Sequence, residues 1–312
     1  MPYDLKNKLV IGLSSSALFD LKDSDKIFRE RGEKVYREYQ REHQENPLKK
    51  GVAFSFIRRI LTLNTLQETE PLVEVILLSR NDPDTGLRVM NSIEYYKLNI
   101  TRAMFLQGKS PYVYIPAFDI ELFLSANSQD VTQAVNAGYP AGLILSGNFT
   151  DDINDHELRI AFDFDGVLAD DEAETIYKTS GKLQAFHTHE SENANIPHSP
   201  GPLKNFLDRI SQIQKIEIDH LTKDPLYKSV LKISIVTARN APSHKRVINT
   251  MRTWGIDVNE AFFMGGIEKS NVLNILKPHI FFDDQRTHLE KPSSILPSVH
   301  IPFGIANKVD TK

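Results

Sequence analysis

The sequence contains no cysteine, which excludes disulfides, a thiolate metal site and a thiol nucleophile. It also lacks a dominant charge. Its 37 Lys and Arg against 41 Asp and Glu give a formal net charge of -4, and the isoelectric point is near 6.2. Nothing here offers the broad basic surface that holds nucleic acid or an anionic membrane. No apolar run reaches bilayer-spanning length, and the N-terminus has no charged segment leading into an apolar one, as a secretory leader would. The expectation is a cytoplasmic protein. With 312 residues, 40% of them hydrophobic and 25% charged, the chain has material for about two domains, each with a core.

What is present centres on Arg159-Ile160-Ala161-Phe162-Asp163-Phe164-Asp165-Gly166-Val167-Leu168. An apolar run of strand length ends in two carboxylates, followed by a glycine that lets the backbone turn. Asp163 and Asp165 are two apart, so on an extended strand end their side chains leave the same face. Carboxylates held together repel, which favours protonation of one, while a bound divalent cation keeps its neighbour ionised. One acid then attacks and the other moves a proton, a division suited to phosphate transfer. The plain alternative is that these aspartates cap the next helix.

Three later stretches favour the chemical reading. Ile233-Ser234-Ile235-Val236-Thr237-Ala238-Arg239 is an apolar strand ending in a hydroxyl. Lys269-Ser270-Asn271-Val272-Leu273 reads as a helix start, and His279-Ile280-Phe281-Phe282-Asp283-Asp284-Gln285 as a strand ending in two acids. Polar groups delivered at successive strand ends are what an open parallel sheet needs, because its ligands sit beyond the carboxyl ends of the strands.

The order Asp-x-Asp, Thr, Lys, Asp-Asp resembles the haloacid dehalogenase superfamily of phosphatases, over residues from about 157 to 303. That resemblance implies Asp163 as nucleophile and Asp165 as the acid and base. It implies Mg²⁺ on Asp163, the backbone carbonyl of Asp165 and an acid of the Asp283–Asp284 pair, with Asp284 favoured as ligand and Asp283 as its orienting neighbour. Thr237 and the N–H of Ala238 would hold phosphoryl oxygens, with Lys269 neutralising charge; Phe164, Gly166 and Arg239 complete the expected substrate surface. A closer likeness is to the cytosolic 5′-nucleotidase I family, carried by Ser14-Ser15-Ser16-Ala17-Leu18-Phe19, Gly201-Pro202-Leu203-Lys204-x-Phe206-Leu207, Val236-Thr237-Ala238-Arg239 and Pro278 to Gln285. The family's Asp-Gly-Asp-Ala-Val stands here as Asp163-Phe164-Asp165-Gly166-Val167, with both acids in place and Phe164 beside the phosphate site. The implied activity is hydrolysis of nucleoside 5′-monophosphates, the expected partner a small-molecule nucleotide without nucleic acid or membrane, and a homo-oligomer is allowed. The alternatives are a phosphatase for another small ester such as a sugar phosphate, and a non-catalytic nucleotide-binding regulator.

Strand–helix alternation runs through the whole chain, the pattern of an α/β sheet. The first half also repeats the second. With a shift of 158 positions (237 minus 79), Arg88-Val89 falls on Arg246-Val247, Asn91 on Asn249, Tyr96 on Trp254 and Gly108 on Gly266. At the front, Ile11 to Ser16 lies over Ile160 to Asp165, so Ser14 and Ser16 stand where the acids are. Matches at strand, helix and glycine positions argue duplication. The expected fold is therefore α/β with two tandem haloacid-dehalogenase-like Rossmannoid halves, 1–150 degenerate and 151–312 catalytic, separated by a linker at Ser146–Asp152. Ser79 and Lys109 survive at positions suited to a phosphate, so the silent half either covers the active one or binds a regulatory nucleotide. A small helical cap insertion is expected at about 171–230 in the second half, with helices at Ala173–Thr179 and Leu203–Ile213. His187, His189 and His198 are expected there as solvated side chains, and Phe186 and Phe164 either stack on a base or pack.

Overall fold

The computed structural model describes residues 3–307 apart from Glu68, Asn148 and Pro225. The chain divides into two compact units, Met1–Ser146 and Gly147–Lys312. The division falls inside the expected linker, of which Asn148 lies outside the described residues, as do the last five residues assigned to the second domain.

In the first unit the strands are β1 (Leu9–Leu13), β2 (Phe19–Asp20), β3 (Lys49–Lys50), β4 (Val73–Ser79), β5 (Arg102–Phe105), β6 (Leu122–Ser125) and β7 (Ala141–Ile144). Five of these form a parallel array in the order β7-β6-β1-β4-β5, while β2 and β3 make a separate antiparallel pair. Every residue of β1 and β4 is buried, which is why they read as continuous apolar runs rather than alternating ones: helices cover both faces. The helix Pro83–Tyr95 begins where Asp82 caps it, accepting from the N–H groups of Asp84 and Thr85, with Pro83 at the first turn where its missing N–H costs nothing.

The second unit contains β8 (Leu158–Phe162), β9 (Leu231–Thr237), β10 (Glu260–Phe263), β11 (Ile280–Asp283) and β12 (Ser298–His300). They run parallel in the order β10-β9-β8-β11-β12. Counted from its own first strand, each unit thus has the same strand order. Among the described residues no helix is long and apolar enough to cross a membrane.

A helical excursion occurs in both halves. In the second unit it comprises Glu172–Ser180, Leu183–Glu192 and Lys204–Lys223, the middle helix being mostly polar. In the first unit Lys22–Glu42 is broken at Gly32 (φ 79°), where the second has Gly181 (φ 64°). The contacts that seat these helices recur too. Arg88 donates to the carbonyl of Asn46 at 3.0 Å and Arg246 to that of Ile196 at 2.9 Å. Asn91 donates to the carbonyl of Gln44 at 3.1 Å, and Asn249 to that of Ala194 at 2.9 Å.

Under the second sheet, Phe206 packs within 6.0 Å of both Phe162 and Phe282, which stack on each other at 5.2 Å. All three rings are fully buried. Phe206→Ala should therefore cost about 3–5 kcal/mol, measured by urea unfolding of the chain; a loss under about 1 kcal/mol would show that the helix is not anchored there.

Candidate active site

Asp163 follows β8 directly, and its N–H donates to the carbonyl of Phe282 at 2.8 Å, which fixes it beside the end of β11. Its carboxylate accepts from the N–H of Phe164 at 2.7 Å and from Lys269 at 2.6 Å. Lys269 opens the helix Lys269–Leu276 and reaches the carboxylate of Asp283 at 2.6 Å as well. Asp283 also accepts from the N–H of Gln285 at 2.8 Å and lies 3.3 Å from Nδ1 of His288. All three charged groups are buried. Burial opposes the charge on Lys269, but the carboxylates of Asp163 and Asp283 outweigh it and hold the ammonium above its usual range. Burial raises Asp163 above the ordinary carboxylate value, Lys269 pulling it back and Asp283 and Asp165 adding to the rise. Asp283 is likewise penalised by burial, yet Lys269 and His288 leave it below the ordinary value.

Asp284 is different. It is buried and neither carboxylate oxygen has a hydrogen-bond partner. Burial, then the charges of Asp163, Asp283 and Glu174, push it up to about 10. A Cβ on Gly166 would lie 2.6 Å from Oδ2 of Asp284. Glycine is required there both for this close approach and for its φ of 69°. An orphaned buried carboxylate, pressed against the turn after Asp165 and close in charge to Asp163, fits a hard divalent cation bound by oxygen. The donor atoms that lie together at this site are those of Asp163, Asp283 and His288, and the Lys269 ammonium already bridges the two carboxylates.

Thr237 ends β9, is buried, and accepts from the N–H of Arg239 at 3.3 Å, while Ala238 beside it is exposed. Arg239 was expected to face substrate. Its guanidinium instead takes Asp165 bidentately, at 2.7 and 2.6 Å, and donates to Glu190. A buried guanidinium demands carboxylate partners, and the chain supplies two. Phe164 is buried, stacked on Trp254 at 6.5 Å with the Arg239 guanidinium 5.3 Å from its ring. Those are the surroundings of packing rather than of base stacking. Phe186 is half-buried over Arg239.

Sequence reasoning missed Glu190 and treated His198 as solvated. Both are buried: Glu190 accepts from Arg239 and, at 2.8 Å, from Arg246, and it lies 3.3 Å from Nε2 of His198. Against its burial, His198 and Arg239 bring Glu190 down to about 2. No local signal marked these residues, because Glu190 lies on a mostly polar helix and His198 in a loop. His189 lies 3.3 Å from a Glu172 oxygen, and His187 3.1 Å from Oδ1 of Asn240.

The first half is built otherwise. Ser14 caps a short helix, Ser15 and Ser79 bond each other at 3.0 Å, and Ser125 accepts from the N–H of Asn127. Lys109 is exposed, and no helix starts there. Without acids at the strand ends, nothing draws an ammonium inward.

A parallel α/β unit with an acid and lysine cluster beyond its strand ends is an enzyme-like architecture, and comparison with known proteins is more specific. The chain belongs to the 5′-nucleotidase family, whose model matches residues 1–308. It is 35% identical over 291 residues to cytosolic 5′-nucleotidase 1B of Homo sapiens, covering 91% of this chain and 47% of that protein. The chain thus spans about half the length of that relative, and the likeness agrees with the cytosolic type I resemblance read from the motifs. Among solved structures, histidinol dehydrogenase from Elizabethkingia anophelis aligns over 93% of this chain and 79% of its own at a TM-score of 0.23 and 7% identity, too slight to carry an argument.

The Asp284 geometry gives a stability test. Its folded value lies above the 3.8 of an ordinary aspartate, so its contribution is complete below 3.8 and is lost as pH rises through about 10, by about 1.4 kcal/mol per pH unit for one proton. The melting temperature of the metal-free chain should therefore fall between pH 5 and 8. Asp284→Asn should flatten that slope, and millimolar Mg²⁺ should restore stability to the parent but not to the variant. An unchanged slope in the variant would remove Asp284 from the account.

Proposed function

We propose that this chain hydrolyses nucleoside 5′-monophosphates to nucleoside and phosphate, with Asp163 as nucleophile. The observation that carries the reading is the buried Lys269 ammonium, 2.6 Å from Asp163 and 2.6 Å from Asp283, beside the unpartnered carboxylate of Asp284. The family match and the printed name of the relative support the substrate class, and that name supports a cytosolic location. We also read the two units as tandem haloacid-dehalogenase-like halves, the first non-catalytic, with the helices at 172–223 as a cap.

In this reading a carboxylate oxygen of Asp163 attacks phosphorus in line with the departing ester oxygen. The bond from phosphorus to that oxygen breaks as the new one forms, and Asp165 gives the leaving oxygen its proton. Asp165 then takes a proton from water, whose oxygen displaces Asp163 from phosphorus and frees phosphate. Lys269 balances the charge shared by Asp163 and the phosphoryl group, while Thr237 and the N–H of Ala238 hold phosphoryl oxygens. Mg²⁺, when held by Asp163, the carbonyl of Asp165 and Asp284, would screen the phosphate from the carboxylates. Asp283 acts behind them, fixing Lys269.

One observation favours a second reading, a phosphatase for another small ester such as a sugar phosphate: the Phe164 ring is packed inside the protein and presents no face to a base. A non-catalytic regulator is disfavoured because the acids and lysine of the second unit are all present and assembled. Phosphate release should be measured across ribo- and deoxyribonucleoside monophosphates and sugar phosphates, with Mg²⁺ and with chelator. Nucleotides should lead, chelator should silence the reaction, and Asp163→Asn should reduce turnover to background with an unchanged circular dichroism spectrum. Undiminished release from Asp163→Asn would end this mechanism.

A further inference from the structure

The buried charges around Glu190 separate into a part the fold needs and a part it does not, because the first unit holds the same contacts with other side chains. Arg246 donates to Glu190 at 2.8 Å, as Arg88 does to Gln40 at 3.2 Å. The N–H of His198 donates to Thr250 at 3.1 Å, as that of Leu48 does to Ser92 at 3.0 Å. The N–H of Arg239 bonds Oγ1 of Thr237 at 3.3 Å, as that of Asn81 bonds Oγ of Ser79 at 3.1 Å. Backbone and helix seating are retained, while Glu190, His198 and Arg239 stand where the first unit has Gln40, Leu48 and Asn81. The unit without these three charged or titratable groups is also the one with Ser16 in place of Asp165.

We propose that Glu190 and His198 are positioning residues for the phosphatase reaction, acting through Arg239 to hold the carboxylate of Asp165. The inference rests on the catalytic reading above. Arg239 grips both oxygens of Asp165 through Nε and Nη2, at 2.7 and 2.6 Å. Its remaining nitrogen, Nη1, donates to Glu190, and Nη2 lies 3.1 Å from Nε2 of His198. Glu190 in turn is tied to Arg246, so the guanidinium is fixed from behind by a helix of the cap. A long arginine side chain held at both ends keeps one geometry, and proton delivery tolerates little displacement of the donor. Buried ion pairs of this kind add little net stability, which agrees with their replacement in the first unit. Asp170, Glu172 and His198 also bring three ligand atoms together, but Arg246 already pairs with Glu172 at 3.0 Å, and that guanidinium supplies the positive charge a metal would bring.

The test is Glu190→Gln in the full chain, which writes the first unit's own residue into the second and keeps an acceptor for Arg246. With a nucleoside monophosphate, kcat should fall by about 10²-fold, the lower end of what a placed general acid contributes, while KM moves by less than about threefold. With p-nitrophenyl phosphate, whose leaving group needs no proton, the loss should be at least about tenfold smaller. Glu190→Asp should recover part of the loss. His198→Leu, again the first unit's residue, should show the same split more weakly, and it carries the test if Glu190→Gln does not fold. Unchanged kcat in the folded variants, or equal losses on both substrates, would overturn the proposal. A parent chain inactive on every ester would overturn the catalytic reading, and this one with it.

Discussion

The second unit depends on one ammonium group. Two adjacent strands bring Asp163, Asp283 and Asp284 to a common buried end, and carboxylates so placed would protonate or drive the strand ends apart. Lys269 resolves this by standing 2.6 Å from two of them. The acid it does not reach, Asp284, is the one left without a partner. A single internal cation thus divides the cluster into a compensated pair and an unpartnered carboxylate.

A second charge system lies around Arg239 and has a different character. Its members come from strand ends, a loop and two helices, and each buried charge meets an opposite one. Pairs like these are poor sources of stability and good sources of defined geometry. The first unit shows the same scaffold with amide and apolar side chains in their place, so the scaffold does not require them. In that sense the chain carries its own control: one sheet order, two sets of strand-end residues.

Much was legible in the linear pattern. Apolar runs marked the central strands of each half, since strands buried on both faces need no alternation, and the helix start at Lys269 followed from its position. The repeat was visible because equivalent contacts need equivalent residues, as Arg88 with Arg246 and Asn91 with Asn249 illustrate. The helix Leu183–Glu192 was not visible, having too few apolar positions for a periodic signal. Lys109, which stood at a position suited to a phosphate, is exposed, because a lysine's placement depends on whether acids wait for it at the strand ends.

By itself the sequence determined which residues follow the central strands, since apolar runs stop where carboxylates, Thr237 or serines begin, and it determined that one half has acids there and the other does not. Only the tertiary structure decided which charges meet. Arg239 faces Asp165 rather than solvent, Lys269 chooses Asp163 and Asp283 over Asp284, and Glu190 joins a network 49 residues away from Arg239 in the chain. The physical reason is that burial along a strand or helix is a local property with a period, whereas charge pairing in a low-dielectric interior is set by distances between elements far apart in the chain.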